Sequence, residues 1–461
     1  MLIRRARIFG AEHTEVRLTG GRITGCGTAL RPLPGEDDID ACGGWLLPGL
    51  HDHHVHLSAL AATADSVRVG PPQVRTITDL ATGLHRADAE SPEGAWIRGV
   101  GYHESVAGEL DRRALDRILG HRPVRIQHRS GALWMLNSRA CAAVDLQHCP
   151  LPGVERDATG SPTGRRWRLD AWLGPRIGAP PVDLTQLGAR AAALGVTGFT
   201  DATPALRQSD IDDLAESAAD GRIRQRVHCM APSDIADPRI ARFSLGPTKI
   251  LLDDTALPDL DEFTDRIRAL HETGRPVAVH CVTRVQLILI MAALDAAGAH
   301  EGDRIEHGAI IPAESMAWLR EHDVTVITQP HFLVERAEQY DRDVPAGDQP
   351  DLWRLGSLIR ARVGVAAGTD APFGGADPWA VIRAAVRRPA TSSISEGISL
   401  RSALSLFFGP PERPAADRCI APGEIADLTL LSAPPEEVAA TWQNPLVAAT
   451  IVDGSPVYLA D

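Results

Sequence analysis

Eight short apolar runs, each separated from the next by sequence of helical character, constrain this chain more than any other feature. They read LLPGLHDHHVH, VTGFTDA, QRVHCM, GPTKILLDD, RPVAVHCV, DRIEHGAI, VTVITQP and RVGVAAGTDA. Between them lie stretches such as DEFTDRIRALHE (261–272) and TRVQLILIMAALDAA (283–297), whose apolar spacing suits a helix. Short apolar strands alternating with helices are the pattern of a parallel sheet covered by helices. Eight such units predict an α/β fold, a (β/α)8 TIM-like barrel over residues 46–399.

The two chain ends read differently. LIRRARIFG and EVRLTGGRITGCG near the start, and IADLTLLSA and ATIVDGSPVYLA near the finish, are strand-like runs broken by glycine and proline. They are expected to pair as a small β-sandwich domain built from residues 1–45 and 400–461. Residues 57–190 are too long for one crossover and contain WIRGVGYHE and RPVRIQHRS. This stretch is expected to be an inserted α+β subdomain over the barrel mouth.

Composition narrows the function. The 461 residues carry 47 Lys+Arg against 60 Asp+Glu, a net charge of −13, which argues against nucleic acid or an anionic membrane as partner. No apolar run approaches the roughly 18 residues needed to span a bilayer, and no apolar stretch follows the early arginines, so secretion is not expected. Seven scattered cysteines without a CxxC pair fit reduced thiols in a cytoplasm. His271-Glu272 opens an HExxH look-alike, but Arg275 fills the second histidine position, and GxSxG, Walker A and post-strand GxGxxG words are absent. The partner expected is a small-molecule substrate; homo-oligomer formation is left open.

Ligand-type residues concentrate where the strands end. In HDHHVH the period of two places Asp52, His54 and His56 on one face and His51, His53 and Val55 on the other. Two imidazoles one pleat apart can share a metal; His53 would serve only in a shifted register. Three further strands end at His280, His307 and Asp370, with Ala278, Ile305 and Gly368 expected behind them on the same faces. The C-terminal ends of parallel barrel strands open onto one face, so these residues should converge there. Their nitrogen and oxygen donors suit zinc, manganese, iron or cobalt and do not select among them.

Lys249, in PTKILL, is the sole lysine of the chain. An ammonium beside metal cations is disfavoured, so its pKa should fall. The neutral amine can then capture carbon dioxide as a carbamate and bridge metals as an anion. The alternative is a rim lysine with its head group in water.

Together, DxHxH (Asp52, His54, His56), Lys249, His280, His307 and the final GTDAP with Asp370 resemble the amidohydrolase superfamily. The similarity is strongest to its YtcJ-like branch, related to N-substituted formamide deformylases. It runs through PGLHDHHVHL, WIRGVGYHE, LGVTGFTDA, KILLDD, VAVHCV, RIEHGAI, ITQPHF, AAGTDAP and GEIADLTLL in order. Departures (TKILLDD, HCVTRVQ and HRSGALWMLNS) fall in segments expected to touch substrate. The resemblance implies one or two divalent metal ions, with His54 and His56 on one, His280 and His307 on the other, and carboxylated Lys249 between them. Asp370 completes the site as ligand and catalytic proton carrier, for a metal-activated water cleaving the C–N bond of an amide or N-acyl compound. His128, Trp134, Gln329 and His331 are weaker candidates for holding substrate. The same scaffold would also serve a lactonase or esterase, a deaminase, or a non-hydrolytic lyase or isomerase. An inactive scaffold protein is the remaining alternative.

Overall fold

In the computed structural model, residues 1–64, 66–177, 183–388, 395–440 and 447–460 are described. Contacts divide the chain into two units, residues 1–57 with 183–461 and residues 58–182. Both mix helices and strands, an α/β architecture.

Among the described residues of the first unit, nine strands form two all-parallel sheets. Leu50–Val55, Val196–Asp201, Arg226–Cys229 and Phe243–Leu245 form one sheet. Thr248–Ile250, Val277–Cys281, Arg304–His307, Thr325–Thr328 and Val365–Ala367 form the other. Every one of the eight expected runs contains a strand; Phe243–Leu245 is additional. It is separated from Thr248–Ile250 only by Gly246 and Pro247, and Pro247 has no N–H to offer a ladder. At the other seam, Asp370 N–H donates to His54 O (2.7 Å) and His56 N–H to Ala371 O (2.9 Å).

The helices between strands start and stop for local reasons. Leu260–Glu272 begins at Asp259, whose carboxylate accepts the Asp261 N–H, and it buries Phe263, Ile267 and Leu270 along one stripe. Arg284–Ala297 opens with a Thr283/Gln286 capping box and ends at Gly298, φ 85°. Among the described residues no helix is long and apolar enough to cross a membrane.

The chain ends meet in one further sheet of the first unit. Trp45–Pro48 runs antiparallel to Leu428–Leu431, from Leu428 opposite Pro48 to Leu431 opposite Trp45. Ile3, Val16, Leu46, Leu430 and Ile451 fill its core. The second unit is built on a six-stranded sheet that includes Ile97–Tyr102, Val124–His128 and Leu133–Leu136. Leu80, Leu84, Ile97, Ile126 and Met135 pack as its core. It is shorter at both ends than the expected 57–190 insert.

One close approach sets the position of the strand ends. A Cβ at Gly368 would lie 2.4 Å from His54 N and 2.6 Å from His54 Cβ, so nothing larger than glycine fits. Gly368→Ala is therefore expected to destabilise the protein by about 1–3 kcal/mol. Gly174→Ala, on an exposed helical position with open space around it, should be neutral or slightly stabilising. Denaturant midpoints of the two variants compare these outcomes.

Candidate metal centre

The DxHxH strand and the GTD segment are joined side by side. The Asp52 carboxylate accepts from Thr369 N–H (2.9 Å), Thr369 Oγ1–H (2.5 Å) and His54 N–H (3.2 Å). Burial pushes Asp52 up to about 6 despite these donors. Asp52 thus braces the two strand ends from within.

Past this brace, side chains from separate strands converge. Ligand atoms of His54, His307 and Asp370 all lie within 4.8 Å of one another, and the three residues are buried. His54 Nε2 is 3.5 Å and His56 Nε2 3.2 Å from Asp370 Oδ1; His307 Nδ1 is 4.0 Å from Asp370 Oδ2. The His280 ring stands 4.7 Å from that of His307, and the His54 ring 4.8 Å from it. Burial lowers His54 to about 3 and also depresses His280 and His307, so these rings are neutral and offer lone pairs. Burial alone would raise Asp370, but the His56 hydrogen bond and the nearby His54 and His307 hold it well below the usual carboxylate range.

Backbone geometry brings two of these residues in. His307 has φ 72° and Asp370 φ 51°, left-handed conformations that cost a non-glycine residue about 1–3 kcal/mol each. In an unbroken strand Glu306 and His307 would face opposite sides. Here both reach His54: the Glu306 carboxylate is hydrogen-bonded to His54 Nδ1, and the His307 ring lies beside the His54 ring. Sequence alternation had set Ile305 behind His307 on the inner face. The observed inner row is instead Arg304 and Glu306, because the left-handed turn at His307 breaks the alternation. Register agrees, pairing Lys249 with Ala278, Ala278 with Arg304, and His280 with Glu306.

Lys249 lies in that row, buried, its Nζ without a hydrogen-bond partner among the described residues. Burial lowers its amine to about 8, while Glu306 and Asp370 pull the other way. Arg304 Nε is 2.7 Å from Glu306 Oε1. Burial would raise the Glu306 carboxyl, but Arg304, Lys249 and His54 outweigh it and keep the group ionised.

The remaining candidates have other surroundings. His51 Nε2 lies 2.9 Å from Thr200 Oγ1, and the buried His53 packs its ring 4.7 Å from that of His51. Gln329 Oε1 accepts from His307 Nδ1–H at 2.9 Å, so it holds a ligand-type ring. His331 is buried with its ring against Phe332. His128 and Trp134 belong to the second unit. His128 Nε2 is 3.1 Å from Glu104 Oε2 and its Nδ1 2.7 Å from Ser130 Oγ. Trp134 is a core residue with the guanidinium groups of Arg98, Arg125 and Arg166 over its ring.

Glu306, Arg304 and Thr369 contact the cluster or its brace, although strand alternation alone does not single them out. The available signal was RIEH itself: two charges of opposite sign at i and i+2 on an otherwise apolar strand cannot both be buried without partners. If His54 is the ligand face of its strand, His54→Ala should lose bound divalent metal after reconstitution. His53→Ala should retain it while losing about 1–3 kcal/mol of stability. Metal analysis of both purified variants separates the two faces.

Comparison with known proteins agrees with this picture. The chain is 24% identical to an N-substituted formamide deformylase of Arthrobacter pascens, an alignment covering 95% of this chain and 94% of that one. An uncharacterized metal-dependent hydrolase from Pyrococcus furiosus superposes with a TM-score of 0.73 at 21% identity, covering 94% of this chain and 99% of the other. A zinc-complexed atrazine chlorohydrolase from Arthrobacter aurescens superposes with a TM-score of 0.57 at 14% identity, over 99% and 95% of the two chains. The sequence profile of the amidohydrolase family matches residues 37–458. The chain belongs to the amidohydrolase family.

Proposed function

We propose that this protein hydrolyses an amide or N-acyl bond of a small molecule at a centre built from His54, His56, Lys249, His280, His307 and Asp370. The carrying observation is the convergence of His54, His56, His307 and Asp370 in one buried cluster. We further propose that the nine parallel strands close as a (β/α)8 barrel, with Phe243–Leu245 and Thr248–Ile250 acting as one interrupted strand. The hydrogen bonds between the His54–His56 and Asp370–Ala371 backbones support closure at that seam.

The residues fit a divalent cation. The neutral His54, His280 and His307 rings, an ionised Asp370 and a His54 Nε2 without a hydrogen-bond partner among the described residues form a hard-to-borderline donor set suited to zinc. When bound, such a cation acidifies water and draws electron density from a carbonyl oxygen. Asp370, hydrogen-bonded to His56, is the base that takes a proton from the attacking water. It returns that proton to the amine nitrogen as the C–N bond breaks. The left-handed backbone at Asp370 fixes where that carboxylate stands. The 24% identical N-substituted formamide deformylase supports an N-acyl or N-formyl substrate. Seven free thiols support a cytoplasmic location.

Lys249 is the proposed site of a carbamate. Its Nζ lone pair bonds to the carbon of CO2, one proton leaves, and the product is an anion. A buried Nζ with no hydrogen-bond partner among the described residues, near Glu306 and Asp370, supports this reading. Because the amine sits near 8, the neutral fraction grows roughly tenfold per pH unit below that value. Uptake of labelled CO2 by the metal-free protein should therefore rise from pH 6 to pH 8 at fixed dissolved CO2. Lys249→Arg should take up none and be inactive, since a guanidinium stays protonated. An active Lys249→Arg enzyme with normal metal content defeats the carbamate.

For the reaction itself, metal-loaded protein should release amine from N-formyl or N-acyl amines, and Asp370→Asn should slow release by about 10²–10⁴-fold. Hydrolysis of lactones or esters alone, with no amine released from any amide, would contradict the proposed reaction.

A further inference from the structure

Glu306 has no part in the reaction proposed above, yet its placement is unusual. It is a fully buried carboxylate hydrogen-bonded to Nδ1 of His54, 252 residues away in sequence. Its other oxygen, Oε1, forms the ion pair with Arg304 on the same strand. A carboxylate only accepts, so the shared proton sits on His54 Nδ1. The neutral ring then has its lone pair on Nε2, the atom that faces Asp370 Oδ1 at 3.5 Å and has no hydrogen-bond partner among the described residues.

We propose that Glu306, anchored by Arg304, is a positioning residue that locks His54 in the Nδ1-protonated tautomer and aims Nε2 at the metal. This deepens the reading of the site given above and rests on it. A free neutral imidazole favours the Nε2–H form, which has no lone pair at Nε2 to give. Without Glu306 the ring must both rotate into place and change tautomer before it can bind. Carboxylates holding the far nitrogen of a ligand histidine commonly contribute 10–100-fold to metal affinity. The left-handed backbone at His307 gains a reason as well: it lets Glu306 and His307 serve the same ring from one strand.

Two measurements test this. In the first, zinc affinity is read by competition with a chelator for the wild type, Glu306→Gln and Glu306→Leu. The expected order is wild type, then Gln with a loss of a few fold because it keeps an acceptor, then Leu with a loss of about 10–100-fold. Equal affinities in folded variants would overturn the proposal. The second needs no variant at Glu306. Long-range proton–nitrogen spectra of metal-free protein labelled at histidine nitrogens report tautomers, with His54 assigned by the signal missing from His54→Asn. An Nδ1–H pattern for His54 is expected, and an Nε2–H pattern would overturn the proposal even if Glu306→Leu fails to fold. Neither readout depends on turnover. Failure of every amide substrate would therefore defeat the functional reading, whereas only the affinities and the tautomer decide the role of Glu306.

Discussion

The site depends on one contact without side chains: the backbone at Gly368 pressed against the backbone at His54. A Cβ at Gly368 would stand 2.4 Å from His54 N, so the last parallel strand can lie this close to the first only as glycine. That closeness lets Asp370 N–H reach His54 O and His56 N–H reach Ala371 O. Those bonds in turn place the Asp370 carboxylate among three imidazoles. Asp52 secures the arrangement from below through both donors of Thr369. Loosening any of these would displace the Asp370 carboxylate, and for the proposed proton carrier a misplacement of about 1 Å would cost on the order of 10² in rate.

Charge is balanced within the cluster. Burial keeps His54, His280 and His307 neutral and leaves them lone pairs to give to a cation. The two carboxylates stay ionised because cations or hydrogen-bond donors face each: Arg304 and Lys249 for Glu306, and His56 for Asp370. A second cationic group is hard to accommodate there, and Lys249 is the group under pressure, lowered to about 8. Turning it into a carbamate would change its sign and relieve its conflict with an incoming metal. The buried lysine and the metal centre are therefore one electrostatic problem.

Much of this was legible in the sequence, for a definite reason. Parallel strands deliver their C-terminal residues to one face, so His280, His307, Asp370 and the HxH pair could be grouped without knowing any distance. The alternation in HDHHVH likewise separates His54 and His56 from His51 and His53, which contact Thr200 and each other. What failed was alternation near His307. A left-handed residue resets the parity of a strand, and no local signal in RIEHG announces it beyond the following glycine. Glu306 was hidden for a second reason: its partner is 252 residues away, and a pairing of that range follows from how distant segments pack rather than from any word in the chain. Gln329, a candidate for holding substrate, accepts from the His307 ring, a contact that depends equally on which strands are neighbours. Phe243–Leu245 escaped notice because three residues before a Gly-Pro step carry little pattern.

His54, His56, Lys249, His280, His307 and Asp370 are the proposed ligands of a metal at this position. Anomalous diffraction at the zinc edge from crystals of zinc-loaded protein tests it most directly. A peak is expected at about 2.0–2.2 Å from His54 Nε2 and from an Asp370 carboxylate oxygen. Catalytically active crystals with no peak there, or with the metal held by other residues, would contradict it.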